Sequence, residues 1–322
     1  MHYANLGKTG LKVSRICLGC MSYGAVPAGP LRPGSHAWAL NEADSQPFFK
    51  QALDLGINFF DTANVYSNGS SEEFLGRFLK ANTKREETVI ATKLNGVMRD
   101  DPNGKGLSRK EIFFELDQSL RRLQTDHVDL LQFHEVIRET DPARIMGAGG
   151  GMEAVLEAKK QGKVRYIGFT GHKSPDIHLK MLETAFAHQF TFDAVQMPLN
   201  VMDAHYNSFE NKVLPVLVKH GIGVLGMKPM GDAIILRSKT AAPVECLHYA
   251  MSLPTSVVIT GCESMSVLQQ ALDAARSFKQ MSQEEVAQLL AKTAPSAVKG
   301  EYELYKTTHN FDGTFQNPQW LG

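Results

Sequence analysis

The chain has few cysteines, no long apolar run and no surplus of charge, and each lack removes a class of protein. Four cysteines in 322 residues cannot make the disulfide framework of a small secreted domain, and their scarcity fits a reducing compartment. No stretch approaches the roughly 20 apolar residues that a membrane span requires. The opening MHYANLGKTGLKVS carries no apolar signal segment either, so a cytoplasmic location is expected. Lys+Arg and Asp+Glu stand at 34 each, which leaves no field of one sign to attract nucleic acid or anionic lipid. A small molecule is the expected partner, and nothing in the composition speaks to oligomeric state. Also missing is a G-x-G-x-x-G turn after the first strand candidate, which argues against a doubly wound dinucleotide fold.

Some of what is present carries no chemistry of its own. Cys17 and Cys20 form a C-x-x-C, but no second ligand pair stands at metal spacing. They read as two thiols at the end of a buried strand, and no metal is expected. The glycine run 147–151 lacks a lysine and reads as a loop entering a helix rather than a phosphate cradle.

The positive signal is alternation. Short β-branched or apolar runs are each followed by a longer stretch with apolar residues three and four apart, eight times over. The predicted strands are 15–18, 57–61, 89–93, 128–134, 165–170, 194–197, 223–227 and 257–260. Helix starts are legible between them: Ser108 with Glu111 as a capping box before Ile112, Leu116, Leu120 and Leu123, Ser174 before Pro175, and Asn207 or Ser208 before Val213 and Leu217. Eight repeats without a break in composition predict an α/β fold, a single (β/α)8 TIM barrel forming one domain over 1–322. The barrel itself should span about 15–280, behind an N-terminal hairpin, with a C-terminal tail over about 281–322. The long loop 24–41 and the tail, which holds a helix over 282–292 and then Phe311, Phe315 and Trp320, are expected to fold over one mouth.

Polar residues interrupt the strands at their C-terminal ends: Asp61 on the second, Lys93 on the third, His134 on the fourth. In a parallel barrel those ends share one face, with neighbouring strands about 4.8 Å apart. Asp61 has the parity of Ile57 and Phe59, and Lys93 that of Val89 and Ala91, so both can point inward. Tyr66, five residues past Asp61, can swing back over the rim. Taken singly, Asp61 and Lys93 describe an ion pair, His134 a structural histidine and Tyr66 a loop tyrosine. Together they describe a phenol, ordinarily of pKa about 10, lowered by an adjacent ammonium that a carboxylate holds in place. A neutral His134 would orient a carbonyl oxygen. That division of labour suits hydride transfer to a carbonyl with Tyr66 as proton donor.

The run GINFFDTANVYSNGSSEEFLGRFL, then VIATK, then VDLLQFH, resembles the aldo-keto reductase superfamily, and further similarity extends from LGKTGLKVSRICLG to SVVITG. The resemblance implies a catalytic tetrad of Asp61, Tyr66, Lys93 and His134, an oxidoreductase acting on carbonyls, and an extended nicotinamide dinucleotide. Thr170 and Gln196 are the implied carboxamide contacts. Gly171 stands where many members carry asparagine, with His172 beside it as a substitute. Met227 takes the place of a stacking aromatic, and Lys228, with Pro229 and Met230, would face the pyrophosphate. Gly261, Glu263, Ser264, Val267 and Gln270 lie where the adenosine end would rest, and Gly19 and Met21 follow the first strand. NADP(H) is the family default, and an acidic Glu263 near the ribose keeps NAD(H) open. His172 and Trp38 are candidate substrate contacts beside Tyr66 and His134. Two rival readings differ in kind: a cofactor-binding regulatory or sensor subunit with little turnover, and a lyase using Lys93 as a Schiff base.

Overall fold

The computed structural model describes residues 1–29, 31 and 34–313. Phe315 and Trp320, expected over the mouth, lie outside the described residues. Among the described residues, eight parallel strands close into a barrel: β3 (Ile16–Gly19), β4 (Phe59–Asp61), β5 (Val89–Leu94), β6 (Val128–Phe133), β7 (Val164–Thr170), β8 (Ala194–Pro198), β9 (Gly223–Met227) and β10 (Val257–Thr260). They follow one another in chain order and β9 pairs with β10, which pairs with β3. The predicted strands are all found, two of them with the predicted ends and none displaced by more than two residues. His134 falls just past β6 rather than inside it, though its N–H still bonds the Leu94 carbonyl at 3.0 Å.

Alternation along the strands sorts two cores. Phe59, Val89, Ala91, Leu130, Ala194, Leu225 and Val257 fill the barrel interior. Phe60, Ile90, Leu131, Ile167, Val195, Val224 and Val258 point outward into the layer shared with the helices. Burying such side chains contributes about 1.5–3 kcal/mol each before the entropy of ordering them, so a register slip of one residue would exchange the two sets.

An antiparallel hairpin, β1 (Tyr3–Asn5) and β2 (Lys12–Ser14), stands before the barrel. Leu6 and Val13 join the interior cluster, so the hairpin plugs the N-terminal end of the barrel and leaves chemistry to the other end. Its turn crosses closely under β9: Lys8 N–H bonds the Gly221 carbonyl at 3.1 Å, and Tyr166 OH donates to the Thr9 carbonyl at 2.8 Å.

Three helix readings need correction. Ser108 does accept from the Glu111 N–H at 3.2 Å, but the reciprocal half of the box is absent because Arg99 takes the Glu111 carboxylate at 2.8 Å. The helix after Ser208 is split into Phe209–Lys212 and Leu214–His220, since Pro215 has no N–H to continue the first piece. The tail helix runs Gln283–Ala297, past the predicted end, because Leu289, Thr293 and Ala297 all fall on its buried face.

Gly7 has φ +52°, and a Cβ there would collide with the Gly223 backbone nitrogen. Gly7→Ala should therefore cost about 1–3 kcal/mol, read as a lower Tm, with turnover unchanged well below that temperature. An unaltered Tm would mean the hairpin does not seat against β9 as described.

Candidate active site

Register brings the polar strand ends together. Asp61 pairs with Gly19 and Ala91, Lys93 with Gln132, and Thr170 with Gln196. Pairing continues beyond β4, with Thr62 N–H bonding the Ala91 carbonyl at 2.9 Å and Asn64 N–H the Lys93 carbonyl at 3.2 Å. Ser67, Asn68 and Gly69 then turn left-handed, and Ser67 N–H bonds the Gly34 carbonyl at 2.9 Å. This turn folds Tyr66 back over Lys93, and the loop 24–41 packs on it through Gly34 and Gly24.

Lys93, 1% exposed, is the hub. Its Nζ donates to Asp61 Oδ1 at 2.6 Å, the Thr62 carbonyl at 2.7 Å and Tyr66 OH at 3.3 Å. The rings of Tyr66 and His134 meet edge to face with centroids 6.0 Å apart. Burial works against the lysine's charge, but Asp61 and Tyr66 more than offset it, and the ammonium's pKa is raised above its ordinary value. A lysine so held is a poor amine nucleophile, which sets the Schiff-base reading aside. Burial pushes Asp61 up, while Lys93, Gln196 and Gln132 pull it back. Burial, then the charges of Lys93 and His172, keep the His134 imidazole well below its usual pKa and therefore neutral.

The expected lowering of the Tyr66 pKa is corrected. Lys93 does pull the phenol down, but burial is the larger influence and the net direction is upward, with Asp61 and Glu135 adding to it. The phenol therefore stays neutral in the folded chain.

The structure separates the remaining predicted residues into those that can face a ligand and those already engaged. Gln196 is buried and its Oε1 has no partner among the described residues; the same holds for Gln132 Oε1. Orphaned buried oxygens at one mouth are what an amide-bearing ligand would satisfy. Met227 reaches the interior cluster and Thr170 is buried at the end of β7. Gly171 leaves no room for an asparagine: a Cβ would collide with the Val136 carbonyl and lie 2.8 Å from His178 Cε1. His172 is no substitute, because its Nε2 is 3.2 Å from Asp312 Oδ1 in the tail. Asp312 also pairs with Lys173 at 3.0 Å and His309 at 2.9 Å, and although burial opposes it, these partners hold its pKa at about 2. Lys228 is paired with Asp232 at 2.7 Å and lies over the rings of Tyr305 and Phe311. Pro229 is buried, and Met230 packs on the hydrophobic clusters. Ser264 caps the helix Met265–Ser277, accepting from Val267 N–H, with Glu263, Gly261 and Gln270 exposed around it. Gly19 packs against β10 and Met21 is half-buried. Trp38 is 47% exposed and stacks on His36, with no described bond or ring contact to the four.

Three participants escaped sequence reasoning. Gln132 donates to Asp61 Oδ2 at 3.3 Å, and its parity with Leu130 and His134 would have found it. Glu135, next to His134, is pushed up to about 7 by burial and has no bonded partner among the described residues. Asp312 had no signal, being 140 residues from His172.

Barrels that gather a charged lysine, a carboxylate, a phenol and a neutral imidazole at the C-terminal mouth are equipped for acid–base work on a bound small molecule, and this fold and site define that class. Within it, the chain belongs to the aldo/keto reductase family, whose model matches residues 15–245. It is 39% identical over 186 residues to versiconal hemiacetal acetate reductase of Aspergillus parasiticus, a match covering 52% of this chain and 50% of that one. The chain thus spans half the length of that relative. It is 31% identical over 326 residues to a Schizosaccharomyces pombe protein provisionally named an aryl-alcohol dehydrogenase, covering 94% and 86%. The holo form of an aldo-keto reductase from Bacillus halodurans shares the fold, with TM-score 0.73 and 24% identity over 94% of this chain and 99% of that one.

Because burial outweighs the lysine, tyrosinate absorbance of the cofactor-free protein should show a step above about pH 10 that Tyr66→Phe removes. A Tyr66 step below the ordinary tyrosine value would reverse the balance drawn here.

Proposed function

We propose that the chain reduces aldehyde or ketone carbonyls to alcohols, reversibly, with Tyr66 as general acid and base and residues 1–322 acting as one unit. The observation that carries this reading is the single ammonium of Lys93, bonded at once to Asp61 and Tyr66 beside a neutral His134. The name of the Aspergillus parasiticus relative, a reductase, agrees with it.

The chemistry follows from the residues. A nicotinamide dinucleotide, when bound, supplies or accepts the hydride. His134, being neutral, donates an N–H to the carbonyl oxygen without adding a charge that would compete with Lys93 for the phenol. As carbon is reduced, the oxygen gains charge and the Tyr66 hydroxyl gives it a proton. The resulting phenolate is stabilised by Lys93, whose attraction is strong only once the phenol has ionised. Asp61 keeps that ammonium from turning away. In oxidation the same groups act in reverse.

Gln196 would hold the carboxamide, with Thr170 beside it and Met227 against the ring. Gly171 and His172 do not contribute there. NADP(H) is the family's usual partner. Exposed Glu263, ahead of the helix Met265–Ser277, favours ribose hydroxyls over a phosphate and keeps NAD(H) as the alternative.

Oxidation of NADPH and NADH followed with a panel of aldehydes, ketones and quinones tests the activity. Tyr66→Phe should lower kcat by about 100-fold or more, while cofactor affinity stays near that of the wild type. Near-normal turnover of that variant would overturn the assignment. Glu263→Arg should raise the kcat/KM ratio of NADPH to NADH, and an unchanged ratio would remove Glu263 from the adenosine site.

A further inference from the structure

The turn that carries Tyr66 is braced from behind by buried charges that the chemistry above leaves unused. Glu72, fully buried in the first turn of the helix Ser70–Asn82, accepts the Thr92 hydroxyl at 2.5 Å on one oxygen and Arg122 Nε at 2.6 Å on the other. Thr92 immediately precedes Lys93 on β5, so Glu72 ties the tyrosine's loop to the lysine's strand. Arg122, near the end of the helix Arg109–Leu123, also donates to the Ser119 hydroxyl at 3.0 Å and to Glu115 at 3.4 Å. Glu115 in turn receives Arg99 at 3.2 Å and the Asn64 amide at 3.4 Å, and Asn64 lies two residues before Tyr66.

The turn itself needs such a brace. Ser67 at φ +46° and Asn68 at φ +54° are left-handed without being glycine, followed by Gly69 at φ +93°. Strain of this kind persists where the surroundings over-determine it. Arg122 lies directly against the turn, since a Cβ on Gly69 would be 2.8 Å from its Cδ and 3.1 Å from its Nε. On the far side of the same turn the Tyr66–Lys93 bond is 3.3 Å long, near the outer limit for a hydrogen bond. A displacement of well under an ångström would break it.

We infer that Arg122, fixed by Glu72, is a positioning residue for the reaction: its guanidinium fork sets the left-handed turn that keeps the Tyr66 hydroxyl within reach of Lys93. The inference rests on the reading of Tyr66 as the acid. Arg122 acts through the turn. Its removal would let the phenol drift from the ammonium, and a phenol farther from a cation is harder to ionise.

Two substitutions reach the turn by different routes. Arg122→Lys keeps the buried charge and loses the fork. Gly69→Ala leaves every charge in place and disturbs the turn twice over, straining a residue at φ +93° and pressing a methyl group against Arg122 Cδ and Nε, so Arg122→Lys is the variant that isolates the arginine. Both should lower kcat by about 10- to 100-fold while KM for the carbonyl and cofactor affinity stay within about twofold. In both, the alkaline limb of the oxidation rate and the Tyr66 step in the tyrosinate absorbance of the cofactor-free protein should move to higher pH. Tyr66→Phe is run alongside. If it is inactive while Arg122→Lys and Gly69→Ala keep wild-type kcat and titration, this inference falls and the acid stands. A lower Tm with an unmoved pH profile marks a purely structural brace and also overturns it. If Tyr66→Phe turns over normally, the reading beneath it has failed instead.

Discussion

One buried ammonium organises this molecule's mouth. Lys93 has left water almost completely, and it stays charged because a carboxylate, a backbone carbonyl and a phenol oxygen surround its nitrogen. Removing one partner from such a group typically costs about 3–5 kcal/mol, so the arrangement tolerates little slack. Four strand ends on one rim contribute to the Lys93–Asp61 pair: β4 supplies Asp61, β5 the lysine, and β6 and β8 the Gln132 and Gln196 side chains that hold Asp61. A closed barrel provides them on one rim, whereas an open sheet would leave part of the ring to solvent.

The barrel was readable because its chemistry breaks its own pattern. Apolar runs that give way to Asp61, Lys93 and His134 announce both the strand and the end that faces the ligand. Parity grouped Phe59, Val89 and Ala91 with the inward residues, where the structure has them, but Ile57, grouped with Phe59, precedes β4 and packs in the outer layer. What could not be read depends on distance in sequence or on the size of competing effects. His172 looked free until Asp312 took it, and Glu111 looked like half of a capping box until Arg99 claimed its carboxylate. The pKa of Tyr66 was misjudged for a different reason: the sign of the lysine's influence can be read from adjacency, but the larger opposing cost of burial requires the fold.

The two ends of the barrel are closed in contrasting ways. The hairpin shuts the N-terminal end with Leu6 and Val13, an apolar plug. The tail is fastened near the mouth by charges, with Asp312 on His172 and Lys173, and Lys306 buried between Asp203 at 2.6 Å and Glu303 at 2.9 Å. Directional bonds fix where aromatic side chains such as Tyr305 and Phe311 sit around Lys228, which an apolar plug could not do with the same precision.

The crowding at Gly171 limits what that position can hold. The Val136 carbonyl and the His178 ring occupy the volume that any side chain there would need. Val136 is itself pinned, its N–H bonded to the Thr170 carbonyl at 2.8 Å. One substitution alone cannot place an amide there. The neighbouring segment would have to shift with it, so whatever an amide at that position would hold must be held from elsewhere on the rim.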